Sequence, residues 1–218
     1  MNYLFQKGSI SMQNKTIDFC TFCSQEKDKI YIKTENFTVW LAIGQIVEGY
    51  SLIMPNDHYH CIGALPDILK KEYLQLKQKV RNLLTKYYGA CIFYEHGRVG
   101  YCNVQPGEQL CYHGHLHAVP VAIDLLESFK ADGLFPIELE DDREFFKAYM
   151  EYGHYLYYED VTSKKFLVPI TQPLQRQYLR FLTAIKIGRP ELANWQEYPE
   201  WNKFYSAKKK LMIGGNNE

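Results

Sequence analysis

A chain of 218 residues with 46% apolar and 23% charged side chains fits one generous soluble domain, or one domain with a substantial extension. Its 25 basic and 25 acidic side chains cancel, which excludes an overall field that would draw the protein to nucleic acid or to an anionic membrane. There is no run of about 20 apolar residues to span a bilayer, and Met1 to Gly8 lacks the charged start and apolar core of a secretion signal, so the chain is expected to be cytoplasmic.

Residues 1 to 17 show little periodicity and read as an N-terminal arm. Cys20 and Cys23 follow, two of six cysteines, and in a reducing compartment this close pair reads as metal ligands or a redox couple. The spacing lets both thiolates reach one ion. No second Cys-x-x-Cys exists, so any further ligands must be histidines, and His58 and His60 stand directly after the turn Pro55-Asn56-Asp57.

Lys29 to Lys33 and Phe37 to Ile43 predict a hairpin, and Tyr50 to Met54 a third strand stopped by Pro55. Between Pro66 and Tyr88 the residues Leu69, Tyr73, Leu76, Val80, Leu83 and Tyr87 recur at intervals of four and three, which predicts a long amphipathic helix ended by Gly89. Ala90 to Tyr94 reads as a buried strand running into the polar turn Glu95-His96-Gly97-Arg98, whose side chains can reach a site. His113, His115 and His117 then alternate, and a strand places such residues on one face, with Gly114, Leu116 and Ala118 on the other.

Beyond Pro120 the pattern predicts a short helix in 122–132, a helix from Glu140 through Met150 with acids in its first turn, and a second hairpin, Tyr155 to Tyr158 with Lys165 to Ile170, in which Pro169 suggests an edge strand. Leu174, Tyr178, Phe181, Leu182 and Ile185 form a helical stripe ending at Gly188, and Arg176 and Arg180 share one of its faces. An aromatic segment with Trp195, Tyr198, Trp201 and Phe204 packs back on the fold, and residues 214–218 read as a disordered tail.

His113-Gly114-His115-Leu116-His117-Ala118-Val119 fits the pattern His-φ-His-φ-His-φ-φ throughout. Together with the Cys-x-x-Cys start, the strand ending in Leu-Ile-Met-Pro-x-x-His, the long helix and the buried strand, it resembles the histidine triad superfamily over residues 18 to 120. The resemblance implies an α+β fold: a histidine-triad core domain of antiparallel sheet and long packing helix over 18–120, with an α/β extension over 121–213. It implies a nucleotide-processing hydrolase or transferase, in which His115 attacks the α-phosphate and forms a phosphohistidine while His117 handles the phosphoryl group. Hydrolysis is favoured over transfer because the last triad position is His117 rather than glutamine. Gln109 takes a position that contacts phosphate or leaving group. Zinc-containing relatives imply the ligand set Cys20, Cys23, His58 and His113, a closed Cys₂His₂ site and therefore a structural zinc. His113 would thus serve both the triad and the metal.

Three departures separate this chain from the usual pattern. Ala42 stands where many relatives have an acid that binds ribose, Leu110 where a serine is common, and Glu95 where the preceding strand commonly ends in asparagine. Glu95 is therefore expected beside the substrate, with Arg98 offsetting its charge. The resemblance also implies a nucleotide or nucleotidyl partner, no direct nucleic-acid binding, and pairing as a homodimer. The competing reading is a nucleotide- or RNA-binding scaffold that keeps the fold with altered activity.

Overall fold

A computed structural model describes residues 20–24, 26–97, 102–103 and 113–215, with side chains excluded at 102, 103 and beyond 212. The architecture is α+β, as expected. Eight strands form one sheet in the order β1-β2-β3-β6-β4-β8-β9-β7, with every neighbouring pair antiparallel. In chain order these are β1 (Ile30–Lys33), β2 (Phe37–Leu41), β3 (Ser51–Pro55), β4 (Ile92–Gly97), β6 (Leu116–Val119), β7 (Ile137–Leu139), β8 (Tyr155–Glu159) and β9 (Lys165–Pro169). A two-residue parallel pair, β5 (Cys102–Asn103) with β10 (Leu174–Gln175), lies apart from it. The sheet therefore runs from the 18–120 segment into the 121–213 segment through the β4–β8 pairing, which joins Phe93 to Glu159 and Gly97 to Tyr155.

Helices cover both faces. On one face α1 (Asp67–Tyr88), α3 (Asp142–Tyr152) and α5 (Trp201–Gly215) pack against Val39, Ile53, Phe93, Leu116, Ala118, Tyr155 and Tyr157. On the other, α2 (Leu126–Ala131) and α4 (Tyr178–Lys186) pack against Trp40, Leu52, Tyr94, Val119, Leu156 and Tyr158. Successive residues of one strand alternate between these two clusters, as the pleat requires. No helix among the described residues is long and apolar enough to cross a membrane.

The long helix forms where its periodicity places it. Gly89 closes it in the left-handed conformation, its N–H donating to Thr85 O at 2.8 Å. Two details differ from the sequence pattern. Tyr87 is 37% exposed, and Leu84 is buried in its stead at the last turn. Lys77 is buried rather than on the solvated face, because its ammonium meets Glu159 at 2.8 Å and Asp142 at 3.0 Å.

The helix expected from Glu140 starts at Asp142, after Asp141 caps it by accepting from Arg143 N–H. The expectation of an edge strand at Pro169 is corrected: β7 pairs with β9 and forms the edge itself. Pro169 is tolerated because the recorded β7 register stops at Leu167, so its missing N–H faces no partner strand there. Leu174 belongs to β10, not to α4, and Ile185 is 46% exposed. Gly214 and Gly215, expected in a disordered tail, are the last two residues of α5.

Candidate active site and metal cluster

Four side chains from three parts of the chain converge beside the sheet. Cys20 and Cys23 sit in a tight turn, in which Cys23 N–H and Ser24 N–H both donate to Cys20 O at 3.1 and 3.3 Å. His58 follows the end of β3, and His113 precedes β6. Their ligand atoms all lie within 4.8 Å of one another. Cys20 Sγ is 3.6 Å from His113 Nδ1, Cys23 Sγ is 3.6 Å from the same nitrogen, and Cys23 Sγ is 3.4 Å from His58 Nδ1. A four-coordinate ion with bonds of about 2.0–2.3 Å has tetrahedral edges of about 3.3–3.8 Å, so these separations suit a metal ion.

The chemistry of the donors agrees. His113 Nε2–H donates to Pro55 O at 3.0 Å, which leaves Nδ1 as the lone-pair nitrogen aimed at the thiols. Burial pushes the His113 ring down to about 4, so it is neutral, as a ligand must be. His60 is exposed and lies outside the four; its ring stands edge-on to that of His58 at 5.8 Å. Of the two histidines after the turn, His58 is the one positioned to bind.

Only part of the histidine run is strand. β6 begins at Leu116, and His113, Gly114 and His115 are its irregular approach. Gly114 is required there, because a Cβ would lie 2.6 Å from the Cys61 carbonyl carbon and 2.7 Å from its Cα. The expected common face is therefore divided. His113 turns to the cysteines, whereas His115 and His117 meet edge to face, with ring centroids 4.7 Å apart. Leu116 and Ala118 point to the α1 face, as the alternation predicts.

His115 Nδ1–H donates to His113 O at 2.7 Å, which fixes the tautomer and leaves the Nε2 lone pair without a proton. His117 Nδ1 lies 2.6 Å from Tyr50 Oη, and Tyr50 Oη lies 3.3 Å from Tyr94 Oη. Burial, and for His117 the neighbouring rings and Arg180, lower both histidines below the usual imidazole range, so both are neutral near pH 7.

These rings open into a cavity of about 500 Å³. Its walls come from the cysteine turn (Thr21, Phe22), β2 (Trp40), β3 and the residue before it (Leu52, Tyr50), β4 (Tyr94, His96) and the start of α4 with the residues before it (Arg176 to Arg180). Phe22 stacks on His115 at 5.1 Å and leans on Trp40 at 5.8 Å. Among the described residues, Lys29, Arg176, Arg180 and the carboxylate of Glu26 supply the charge; Glu26 pairs with Lys29 at 2.7 Å. Arg180 is buried, donating to Gly44 O and Leu192 O at 2.7 Å and to Ala193 O at 2.9 Å, so it anchors the C-terminal segment while its charge stays near the cavity. Arg176 is exposed and lines the cavity. Ala42 is buried in the wall and presents only a methyl group.

Glu95 is corrected. It points through the opposite face of the sheet, where it accepts from Ile62 N–H at 2.7 Å and Tyr155 O–H at 2.9 Å. The pleat puts Phe93 and Glu95 on the α1 side and Tyr94 and His96 on the cavity side, so His96 rather than Glu95 reaches the site. The alternation from Tyr94 carried that signal. Arg98, Gln109 and Leu110 lie outside the described residues.

Fold and site together define an α+β protein whose antiparallel sheet carries a cluster of neutral imidazoles in a cavity, beside a Cys₂His₂ set able to hold a metal ion. No family model matches the sequence, and no curated protein matches it. Among solved structures, the chain is similar to a HIT family protein from Bacillus anthracis, with 23% identity and a TM-score of 0.39 over 48% of this chain and 74% of that one. It is also similar to a HIT family member from Bacillus subtilis, with 20% identity and a TM-score of 0.39 over 47% and 73%. A protein of Streptococcus mutans gives 20% identity and a TM-score of 0.40 over 50% and 69%.

Proposed function

We propose that the chain is a cytoplasmic histidine-triad hydrolase that cleaves a nucleotidyl compound at its α-phosphate through a phosphohistidine on His115. The observation that carries this reading is the 2.7 Å bond from His115 Nδ1–H to His113 O, which leaves the Nε2 lone pair of a neutral ring available beside the cavity. Nε2 attacks the α-phosphorus as the P–O or P–N bond to the leaving group breaks; the leaving group keeps the electron pair. Tyr50 is held as a neutral phenol by burial, and its best acceptor is His117 Nδ1, so the His117 proton sits on Nε2. That N–H donates to the phosphoryl group and delivers a proton to the departing atom. Water then attacks the phosphorus, His115 departs with the P–N electrons, and His117 recovers its proton. Among the described residues, cationic groups outnumber anionic ones around the cavity, which in a chain with no net charge suits an anionic substrate. The Cys₂His₂ set of Cys20, Cys23, His58 and His113 would hold zinc in a structural role, which would tie the Thr21–Phe22 wall to the approach of β6.

Turnover of a panel of dinucleoside polyphosphates and nucleoside phosphoramidates by wild type and His115→Ala tests the reading. We expect the variant to fall by at least about 10³-fold, and quenched wild-type reactions to carry an acid-labile nucleotidyl adduct on the peptide containing His115. Equal turnover by the two proteins would overturn it.

A further inference from the structure

A fourth imidazole stands at the reacting centre. β4 and β6 pair antiparallel with Ile92 opposite Val119 and Tyr94 opposite His117. The same register, carried two residues beyond the Tyr94–His117 pair to the residue just before β6, sets His96 opposite His115. His96 lines the same cavity as His115 and His117, and it lies close enough to His115 for that ring to disfavour a charge on His96. On its other side β4 pairs with β8, His96 opposite Leu156, so His154 lies one pleat outward on the cavity face.

The backbone around His96 is held from below. Glu95 accepts from Ile62 N–H and Tyr155 O–H, and Tyr155 Oη in turn accepts from Gly63 N–H at 3.0 Å. Gly97 lies flat on the Tyr155 ring, where a Cβ would approach within 2.2 Å. The residues before and after His96 are thus fixed on the α1 side, which leaves its ring one direction, into the cavity. Burial together with His154 and His115 pushes His96 down to about 4, so at neutral pH the ring is uncharged and carries one N–H.

We propose that His96 is a further catalytic residue, whose ring N–H donates to a non-bridging oxygen of the phosphoryl group transferred to His115. This rests on the reading of His115 as nucleophile. A donor already in place where negative charge concentrates stabilises the transition state without reorganisation, and loss of one such donor costs about 10²- to 10³-fold in kcat. An anionic side chain at this position would oppose the phosphoryl group; the neighbouring Glu95 is on the far side of the sheet.

The test compares wild type, His96→Ala, His96→Asn and His115→Ala on an adenosine 5′-phosphoramidate with a fluorogenic amine leaving group, alongside AMP titrations followed by imidazole NMR. We expect His96→Ala to lower kcat about 10²-fold with KM little changed, and His96→Asn, whose amide is also a donor, to recover part of that loss, both variants melting as wild type does. AMP is expected to shift the His96 ring signals of the wild type. If His115→Ala is inactive while His96→Ala matches wild type, the role of His96 is overturned and that of His115 stands. If wild type itself does not turn over the probe, the nucleophile reading fails, and His96 is judged by AMP alone. Ring signals of His96 unmoved by millimolar AMP overturn its contact with phosphate.

Discussion

The two faces of the sheet are built from alternate residues of the same strands, yet they handle polarity in opposite ways. The α1 face buries full charges and pairs them: Glu159 meets Lys77 at 2.8 Å and Arg81 at 2.7 Å, and Asp142 meets Lys77 at 3.0 Å. The cavity face sets groups that are neutral near pH 7, half-buried His115 and His117 and buried Tyr50 and Tyr94, beside the buried Arg180, and Glu26 on its wall is exposed. Strand β4 divides its side chains within three residues, with Glu95 on the α1 side and Tyr94 and His96 on the cavity side. Buried ion pairs hold the scaffold, whereas the site sets neutral donors and acceptors beside cations, where an anionic group can approach.

The largest expected effect falls on the cavity face, because part of its wall is held from outside the sheet. Phe22 lies between Cys20 and Cys23, so a metal held by the Cys₂His₂ set would steady its stack on His115. Structural zinc sites bind with apparent free energies of about 10–16 kcal/mol, which makes a ligand the most damaging single loss. Cys23→Ser should carry no metal and lose more melting temperature than any variant below. Metal analysis checks this; a folded, never-chelated wild type holding less than about a tenth of an equivalent of zinc sinks the assignment.

On the α1 face, Glu159→Gln leaves Arg81 opposite a neutral amide and Lys77 with only Asp142 of its two carboxylates. Glu159 and Lys77 are 2% and 6% exposed, so solvent does not repair the loss, and we expect destabilisation of about 3–5 kcal/mol by urea titration. Because the network is across the sheet from the cavity, kcat should be unchanged under conditions where the variant is folded. A fall in kcat without a fall in stability would break the separation of the two faces.

Glu95 sharpens the same contrast through pH. Burial pushes its carboxyl up from 4.5 to about 8, against the pull of the bonds from Ile62 and Tyr155. Between those values the folded protein holds a proton that the unfolded chain has released. Stability from this group is therefore full below about 4.5 and is lost as pH rises toward about 8, a change of a few kcal/mol at most. Glu95→Gln removes that slope, so its stability relative to wild type should improve steadily from mildly acidic to mildly alkaline solution. Parallel pH profiles for the two proteins would show that Glu95 is ionised in the fold.

Much of this was legible in the residues, for reasons that are local. Periodicity fixed the long helix, turn residues fixed the first hairpin, and the Cys-x-x-Cys, His58 and His113 positions anticipated a cluster whose ligand atoms indeed converge. What sequence reading missed depends on contacts distant along the chain. β7 is only three residues long, and pairing with β9 is what makes it a strand. Lys77 looks like any surface lysine until Glu159, 82 residues on, arrives beneath it. Arg180 reads as a solvated cation until Gly44, 136 residues away, offers its carbonyl. Glu95 and His96 differ only by strand parity, and choosing between them required knowing that Tyr94 sits opposite His117.

The smallest effect concerns the row of hydroxyls that sets the His117 tautomer on the cavity face. Tyr50 on the approach to β3 reaches His117 Nδ1 at 2.6 Å and Tyr94 Oη at 3.3 Å, and Tyr94 Oη lies 3.4 Å from Thr183 Oγ1 on α4. Burial pushes the pKa of both phenols up, so each stays protonated, and the row of hydroxyls joins α4 to His117. Tyr50→Phe keeps the ring and its packing but leaves His117 Nδ1 without a donor. The ring then also populates the tautomer protonated at Nδ1, which has no N–H to give on the cavity side. One neutral hydrogen bond is worth about 1 kcal/mol, so kcat should fall about fivefold while KM stays level and the melting temperature moves little. A raised KM at unchanged kcat would place the Tyr50 hydroxyl on the substrate itself, and the neutral face would then owe its proton pattern to the ligand.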